Sequence, residues 1–183
     1  MVESVRSLST SLAAKWRYRA LFAAVAVVAV AAGIGVALYH RTPIDASKLL
    51  ALTLPDAAGR PQPVAQWQGK VVAVNFWATW CAPCREEMPE FVRAQAEYGS
   101  KGLQIVGIAI DNADKVRQFS QQLNLNYPAL IGGYSAMDLS KDLGNSLLAL
   151  PFTVVLDRQG KVAYTHLGPV KPGQFRSIVT KLL

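Results

Sequence analysis

The stretch that decides the fold is VVAVNFWATWCAPCREEMPEF, which occupies residues 71–91. Its first six residues, Val71–Phe76, are almost entirely apolar, which is typical of a buried β-strand. Residues 83–98 are predicted to form an α-helix. The only two cysteines of the chain, Cys81 and Cys84, therefore stand at a strand-to-helix junction, with the first thiol at the N-terminus of the helix.

The position of the first cysteine favours its ionised form. Unpaired backbone N–H groups and the positive end of the helix dipole stabilise a thiolate at that point. A thiolate with a second thiol one turn away can attack a disulfide through a mixed-disulfide intermediate, so the pair points first to dithiol–disulfide exchange. A structural zinc site and a purely structural disulfide stay open as alternatives. Zinc usually needs four ligands, and the chain adds only His40 and His166, while a disulfide here would close a very short loop.

An apolar segment precedes the domain. Residues 20–39 carry no charged side chain and as a helix would be about 30 Å long, enough to cross a bilayer core. Four basic residues and only Glu3 precede it, so the positive-inside rule keeps the N-terminus in the cytoplasm and exports the chain beyond Arg41. A cleaved signal peptide is the alternative, since Ala29-Val30-Ala31 offers a small-x-small site. We predict a cytoplasmic tail at 1–19, a retained single-pass anchor of the inner membrane at 20–39, a linker at 40–48 and a periplasmic or extracytoplasmic domain at 49–183.

The formal net charge of +7 gives no support to nucleic-acid binding. The first forty residues contribute +3 of it, and the 15 basic and 11 acidic residues of the remainder are interspersed without a basic run. Both cysteines belong to the C-x-x-C pair, so none is left over to staple an exported domain. We expect a domain that is held by its hydrophobic core and a thiol pair that is free to cycle.

Strand and helix patterns alternate through the rest of the domain. Besides the strand at 71–76, strands are predicted at 49–54, 103–110, 129–131, 153–156 and 162–167, with an edge strand within 56–63. Helices are predicted from an N-cap at Asp111 or Asp114 to about Leu123, over 137–143 and over 172–183. This order predicts an α/β domain with a mixed sheet and helices on both faces.

Two segments resemble a known family. Residues 75–89, with the sequence NFWATWCAPCREEMP, are similar to the active-site segment of thioredoxin-fold proteins, and most similar to the TlpA/ResA/CcmG group of membrane-anchored thiol–disulfide oxidoreductases in the redoxin superfamily. The second segment, Leu150–Asp157, has an X-Pro that enters a strand. The resemblance covers residues 47–183. It implies a thioredoxin-like three-layer sandwich and a cis peptide bond before Pro151.

The resemblance also assigns roles to the residues of the motifs. Cys81 is expected to be the nucleophile, and Cys84 to resolve the mixed disulfide. The cis geometry of Pro151 would turn the backbone of Leu150 towards an incoming peptide, and Trp80 would pack over the motif. The residues expected to bind substrate are Trp80, Pro83, Leu150 and Pro151.

Two positions separate the chain from cytosolic thioredoxin. Thioredoxin carries a buried Asp six residues before the first cysteine, and Asn75 stands there in this chain. Asn cannot accept a proton, so another group must serve Cys84. Glu87 matches a glutamate of the ResA group, and a carboxylate in an apolar site would have a raised pKa and could shuttle a proton. The alternative is a solvated helix Glu beside Glu86 and Glu90.

The resulting hypothesis is a reductase of exported protein disulfides that needs no cofactor or metal. Family analogy makes apocytochrome c the leading substrate, in cytochrome c maturation, and a DsbD- or CcdA-like membrane protein the thiol electron donor. One alternative is an oxidant that introduces disulfides. Another is a peroxiredoxin-type peroxidase, although Val74 and Ala78 stand where its motif has Pro and Thr. The third is a copper- or haem-handling module, for which His166 is the only additional ligand candidate.

Overall fold

The computed structural model describes residues 3–39, 44–171 and 173–183. The chain divides into two units, residues 1–42 and 43–183. Residues 40–43 of the predicted linker, and Pro172 at the predicted start of the last helix, lie outside the described residues.

Helix α1 (Glu3–Tyr39) forms the described part of the first unit. Its segment Tyr18–Gly35 is the one stretch among the described residues that is long and apolar enough to cross a membrane, and none of that segment is buried by other parts of the protein. Large apolar side chains such as Phe22 and Val28 are 72% and 68% exposed. A helix satisfies its own backbone hydrogen bonds, so such a surface is compatible with a hydrocarbon surrounding.

The second unit consists of short helices and strands around one central sheet. Its helices are α2 (Ser47–Leu50), α3 (Ala82–Tyr98), α4 (Ala113–Gln122), α5 (Ser135–Asp142) and α6 (Gln174–Thr180). Its strands are β1 (Thr53–Pro55), β2 (Pro61–Pro63), β3 (Val71–Trp77), β4 (Leu103–Ala109), β5 (Ala129–Ile131), β6 (Phe152–Leu156) and β7 (Val162–Leu167). Two short 3-10 helices, Val64–Trp67 and Gly99–Lys101, precede β3 and β4.

The central sheet is mixed, as the sequence predicts. Its strand order is β5-β4-β3-β6-β7, while β1 and β2 form a separate antiparallel pair. Strands β3, β4 and β5 are parallel, and β6 is antiparallel to both β3 and β7. Strand β3, which leads into the cysteine pair, is therefore the middle strand, and its seven residues are all buried.

The sheet has a hydrophobic core on each face. Alternate residues of β3 belong to different clusters: Val72 and Val74 lie in one, Val71 and Ala73 in the other. This alternation follows from the two-residue period of a strand. In the second cluster Phe91 of α3 meets Phe175 of α6 edge to face, with ring centroids 4.8 Å apart. The predicted thioredoxin-like layered fold is confirmed.

Three local predictions were wrong. The apolar run Leu49–Leu54 is not one strand, because α2 occupies Ser47–Leu50 and strand β1 begins at Thr53. The carboxylate of Asp45 accepts hydrogen bonds from the Ser47 N–H and hydroxyl at 2.8 and 2.7 Å, which fixes the first turn of that helix. A short apolar run does not distinguish a buried helical turn from a strand.

The second error concerns the start of α4. Its N-cap is Asn112, whose Oδ1 accepts a hydrogen bond from the Lys115 N–H at 3.0 Å. Asp111 instead accepts a hydrogen bond from the Thr79 hydroxyl, just before the cysteine pair. The last helix, α6, is also shorter than predicted, since it spans only Gln174–Thr180.

Candidate functional site

The two cysteines occupy the N-terminus of α3. Cys81 is the N-cap residue, with an extended backbone (φ −86°, ψ 102°), and Cys84 lies in the first turn. The two side chains are joined as a disulfide, and the Sγ of Cys81 also accepts a hydrogen bond from the Cys84 N–H at 3.3 Å. In the reduced protein the same N–H group and the helix dipole would stabilise a thiolate on Cys81.

The two sulfurs differ in access. Cys81 is 6% exposed, whereas Cys84 has no exposed surface. An incoming sulfur atom can therefore approach Cys81, while Cys84 can be reached only from inside the protein. This difference in exposure is compatible with the predicted roles of Cys81 as the attacking thiol and Cys84 as the resolving thiol.

An apolar groove of about 530 Å³ opens beside Cys81. Trp80, expected to pack over the motif, is instead 66% exposed and forms one of its walls, and Pro83 and Leu150 line it as well. Sequence reasoning missed the other residues of the lining. Ala82 lies within the C-x-x-C motif, whereas the rest come from separate loops and helices and carry no local signal. They are Ile110, Tyr134, Met137, Leu148 and Ala149.

The segment before β6 lines the groove through Leu148, Ala149 and Leu150, whereas the predicted Pro151, the next residue, is not part of the lining. The Leu150–Pro151 peptide bond is cis, as the resemblance implied. Asn145 holds this segment, because its side chain accepts a hydrogen bond from the Ala149 N–H at 3.1 Å and donates one to the Ala149 carbonyl at 2.9 Å. Pro151 itself is buried, and its carbonyl accepts a hydrogen bond from the Gly168 N–H.

Glu87 is buried, with 3% of its surface exposed, whereas its neighbour Glu86 is exposed. One carboxylate oxygen of Glu87 accepts a hydrogen bond from Asn75 Nδ2 and the other from the Val170 N–H, both at 2.8 Å. Burial raises the pKa of Glu87 to about 7, and the two hydrogen bonds oppose that rise without cancelling it. The solvated alternative therefore describes Glu86 and not Glu87.

Glu87 lies three residues beyond Cys84 on α3, so the two side chains share one face of the helix. Asn75 approaches Glu87 from the middle strand of the sheet and also donates a hydrogen bond to the Thr153 hydroxyl at 3.1 Å. The site thus pairs a reachable thiol with a buried one, and it places a carboxylic acid that titrates near neutral pH one turn from the buried thiol. Among the described residues, no group of three or more His, Cys, Asp or Glu side chains is placed to hold a metal ion.

This combination defines the class of protein. A C-x-x-C disulfide at the start of a helix, next to a cis proline on a mixed five-stranded sheet, is the arrangement of a thioredoxin-fold thiol–disulfide oxidoreductase. The sequence profile of the Redoxin family matches residues 45–183, and the chain belongs to that family.

Individual relatives agree with the class. The chain is 34% identical to the thioredoxin-like protein YneN of Bacillus subtilis (strain 168) over 120 residues, which cover 63% of this chain and 67% of that one. It is 32% identical to the thiol-disulfide oxidoreductase ResA of Bacillus thuringiensis subsp. konkukian over 130 residues, or 69% of this chain and 72% of that one. The similarity confirms the predicted resemblance to the ResA group and the assignment as an oxidoreductase.

A solved structure supports the same assignment. A thiol:disulfide interchange protein of the thioredoxin family from Chlorobium tepidum TLS superposes with a TM-score of 0.66 at 28% sequence identity. The superposition covers 72% of this chain and 92% of that one.

The buried carboxyl of Glu87 makes the stability of the oxidised protein depend on pH. Its pKa in the folded state, about 7, lies above the ordinary glutamate value of 4.5, so the folded protein binds this proton more tightly than the unfolded chain. The contribution of this protonated carboxyl to the free energy of unfolding is fully present below about pH 4.5. It is lost as the pH rises through 7, a loss of about 3 kcal/mol. Urea unfolding over a pH series should show a smaller loss for Glu87→Gln than for the unmodified chain. Glu86→Gln should follow the unmodified chain, and identical pH profiles for all three proteins would contradict the burial of an ionisable Glu87.

Proposed function

We propose that the chain is a membrane-anchored reductase of protein disulfides that works outside the cytoplasm. The observation that carries this proposal is the pairing of a fully buried Cys84 with a buried acid, Glu87, one turn away. A strong disulfide oxidant stabilises its reduced form. An ionised Glu87 has the opposite effect, because its negative charge opposes a thiolate on Cys84.

The proposed reaction uses both thiols in turn. The thiolate of Cys81 attacks one sulfur of a substrate disulfide, that S–S bond breaks, and the other substrate sulfur leaves as a thiolate that takes up a proton. Cys84 then loses its proton to the carboxylate of Glu87 and attacks the Sγ of Cys81. The mixed disulfide breaks, the second substrate thiol leaves, and two electrons have passed from the enzyme to the substrate. The enzyme is left with the Cys81–Cys84 disulfide.

The groove supports a polypeptide as the substrate. A substrate sulfur bonded to Cys81 must lie in the groove, so the residues that flank that sulfur contact its apolar walls, including Trp80 and Tyr134. In the described part of the chain no hydrogen bond engages the backbone N–H or C=O of Leu150, which lines the same groove. An extended peptide can pair with such a backbone edge. Apocytochrome c, with its C-x-x-C-H thiols, is the leading substrate because the family resemblance implies it.

Each turnover oxidises the only two cysteines of the chain, so a second dithiol must reduce them again. A helix that spans the membrane would hold the protein at the bilayer, where a DsbD- or CcdA-like donor could supply that dithiol. The apolar stretch Tyr18–Gly35 supports this part of the proposal.

The proposed thiol roles predict which variant traps a substrate. Cys84→Ser should accumulate mixed disulfides with exported proteins, since the Cys81 thiolate can attack but nothing resolves the adduct. Cys81→Ser should accumulate none. Non-reducing gels followed by identification of the trapped proteins measure this. Trapping by Cys81→Ser, or faster alkylation of Cys84 than of Cys81 in the reduced protein, would reverse the assignment.

The proposed role of Glu87 predicts a pH-dependent defect. Glu87→Gln should slow the resolution of the mixed disulfide by about 10- to 100-fold at pH 7, the effect of an ordinary general base. The defect should shrink towards pH 9, where Cys84 ionises without help. Stopped-flow reduction of insulin or apocytochrome c disulfides measures the rate, with Glu86→Gln as the matched control. Equal and small effects of the two substitutions would remove Glu87 from the mechanism.

The proposed topology predicts where a reporter is active. Alkaline phosphatase fused after Arg41 should be active, because the positive-inside rule exports this point of the chain. The N-terminus of the membrane-bound protein should retain the residues that precede the apolar segment. An inactive fusion would place the cysteines in the cytoplasm, and a mature N-terminus near Ala32 would show that the anchor is cleaved.

A further inference from the structure

Asn75 belongs to a row of residues that crosses the sheet beneath Glu87. In the strand register Asn75 of β3 lies between Gly107 of β4 and Thr153 of β6, and Thr153 in turn pairs with His166 of β7. Both Asn75 and Thr153 are buried, at 1% and 0% exposure. Burial of polar side chains in such a place costs folding free energy unless they are hydrogen-bonded.

The nitrogen and the oxygen of the Asn75 carboxamide differ in their hydrogen bonds. Its Nδ2 donates to both Glu87 Oε1, at 2.8 Å, and Thr153 Oγ1, at 3.1 Å. Its Oδ1 is buried and has no hydrogen-bond partner in the part of the chain that the structure describes. The amide therefore presents only donors to Glu87 in this orientation.

This orientation satisfies the ionised form of Glu87 more fully than the neutral form. A carboxylate accepts hydrogen bonds at both oxygens, and here it receives them from Asn75 and from the Val170 N–H. A protonated carboxyl must donate its O–H, and neither an amide NH₂ group nor a backbone N–H can accept it. In the arrangement described, neither of the two observed partners of Glu87 can accept the proton of its neutral form.

A half-turn of the Asn75 carboxamide supplies an acceptor for that proton. It exchanges Oδ1 and Nδ2, so that the oxygen faces both the Glu87 O–H and the hydroxyl of Thr153, while Nδ2 takes the buried position in which Oδ1 has no partner among the described residues. A threonine hydroxyl can either accept or donate, so Thr153 serves both orientations of the amide. No backbone movement is needed, because the two orientations have almost the same shape.

We propose that Asn75 is a positioning residue whose carboxamide turns over each time Glu87 gains or loses its proton, while Thr153 reverses its hydrogen bond. The role in catalysis rests on the proposed function of Glu87 as the proton acceptor of Cys84. It also gives a reason for a carboxamide at the position where thioredoxin has an acid. An Asp there would place a second carboxylate against Glu87 and couple the two titrations, whereas the amide serves both states of Glu87 and stays neutral.

Other titratable groups lie around Asn75 and Glu87. Tyr127, before β5, is buried, and burial together with the charge of Glu87 raises the pKa of its phenol. His166 faces Thr153 from β7, and its Nδ1 lies 3.2 Å from the Tyr164 hydroxyl. On α3 itself, Cys84 precedes Glu87 by one turn, and Glu90 forms an ion pair with Arg93 at 2.7 Å. A test must therefore tie the reorientation of Asn75 to Glu87 and not to these groups.

Nuclear magnetic resonance of the full-length chain in lipid nanodiscs provides that test. The protein is kept oxidised so that the thiols do not titrate, and it carries ¹⁵N in Asn side chains and ¹³C in Glu carboxyl groups. Nuclear Overhauser contacts report the direction of each amide between pH 5 and 9. At pH 9 the NH₂ protons of Asn75 should be close to Thr153. At pH 5 these contacts should be lost. The pH at which half of the contact intensity is lost should equal the midpoint of the chemical-shift titration of the Glu87 carboxyl carbon.

Asn145 is the matched control within the same sample. It is also fully buried, but its side chain is bonded to Ser140 and Ala149 and not to an acid. Its NH₂ contacts should not change over the pH series. In Glu87→Gln the contacts of Asn75 should no longer change with pH, because the group that drives the reorientation cannot ionise.

Substitution of Asn75 gives a second measurement. Asn75→Leu removes the donor to the ionised carboxylate, so the titration midpoint of Glu87 should rise by about one pH unit. If that variant does not fold, the pH series on the unmodified chain still decides the question. Persistent contacts between the Asn75 NH₂ group and Thr153 after Glu87 is protonated would overturn the proposal, as would a reorientation that survives in Glu87→Gln. None of these readouts depends on the direction of electron transfer, so failure of the reductase proposal would be seen separately.

Discussion

The hydrogen bonds that hold the buried carboxylate of Glu87 are the constraint on which the site depends. They join three separate parts of the domain: the active-site helix that carries Glu87, the middle strand that carries Asn75, and the segment after β7 that supplies the Val170 N–H. The same helix begins at Cys81, so the acid and the thiols are fixed on one rigid element. A carboxylate without these donors would have to leave the interior or stay protonated.

Burial of this acid costs folding stability, and its chemistry gives a reason for retaining it. Burial raises the pKa of Glu87 to about 7, so both forms are present near neutral pH. A group with that pKa can accept a proton from a thiol and release it to solvent in the same cycle. A solvated Glu with an ordinary pKa would be ionised throughout and a much weaker base. The interior position that is unfavourable for stability is therefore favourable for proton transfer.

The sequence was sufficient for the fold class and for the position of the cysteine pair, because both depend on strong local patterns. The mostly apolar runs at 71–76 and 103–110 predicted the central strands, and the turn around Gly160 predicted the final hairpin. Short elements were less certain. The run Leu49–Leu54 is compatible with both a helical turn and a strand, and the turn Ser47–Leu50, in which Ser47 donates to Asp45, includes its first two residues.

The motifs predicted Trp80, Pro83 and Leu150 of the groove, but the remaining walls could not be predicted from sequence, because they come from distant parts of the chain. Tyr134 and Met137 stand at the start of α5, and Leu148 and Ala149 lie before β6. None of these residues has a neighbouring pattern that would mark it as functional, and only the fold brings them to Cys81. Whether Glu87 is buried or solvent-exposed could not be predicted for a similar reason. Glu86, Glu87 and Glu90 look alike in sequence, and helix packing buries Glu87 while leaving Glu86 exposed.

The reduction potential of the Cys81–Cys84 pair tests the central claim most directly. Equilibration of the full-length protein with glutathione or dithiothreitol buffers at pH 7 gives this value. A reductase whose buried thiol faces an acid should have a potential close to that of thioredoxin, about −270 mV. A potential close to that of DsbA, about −120 mV, would show that the reduced form is the stabilised one. The chain would then be an oxidant, and the account of Glu87 as the base that serves reduction would be wrong.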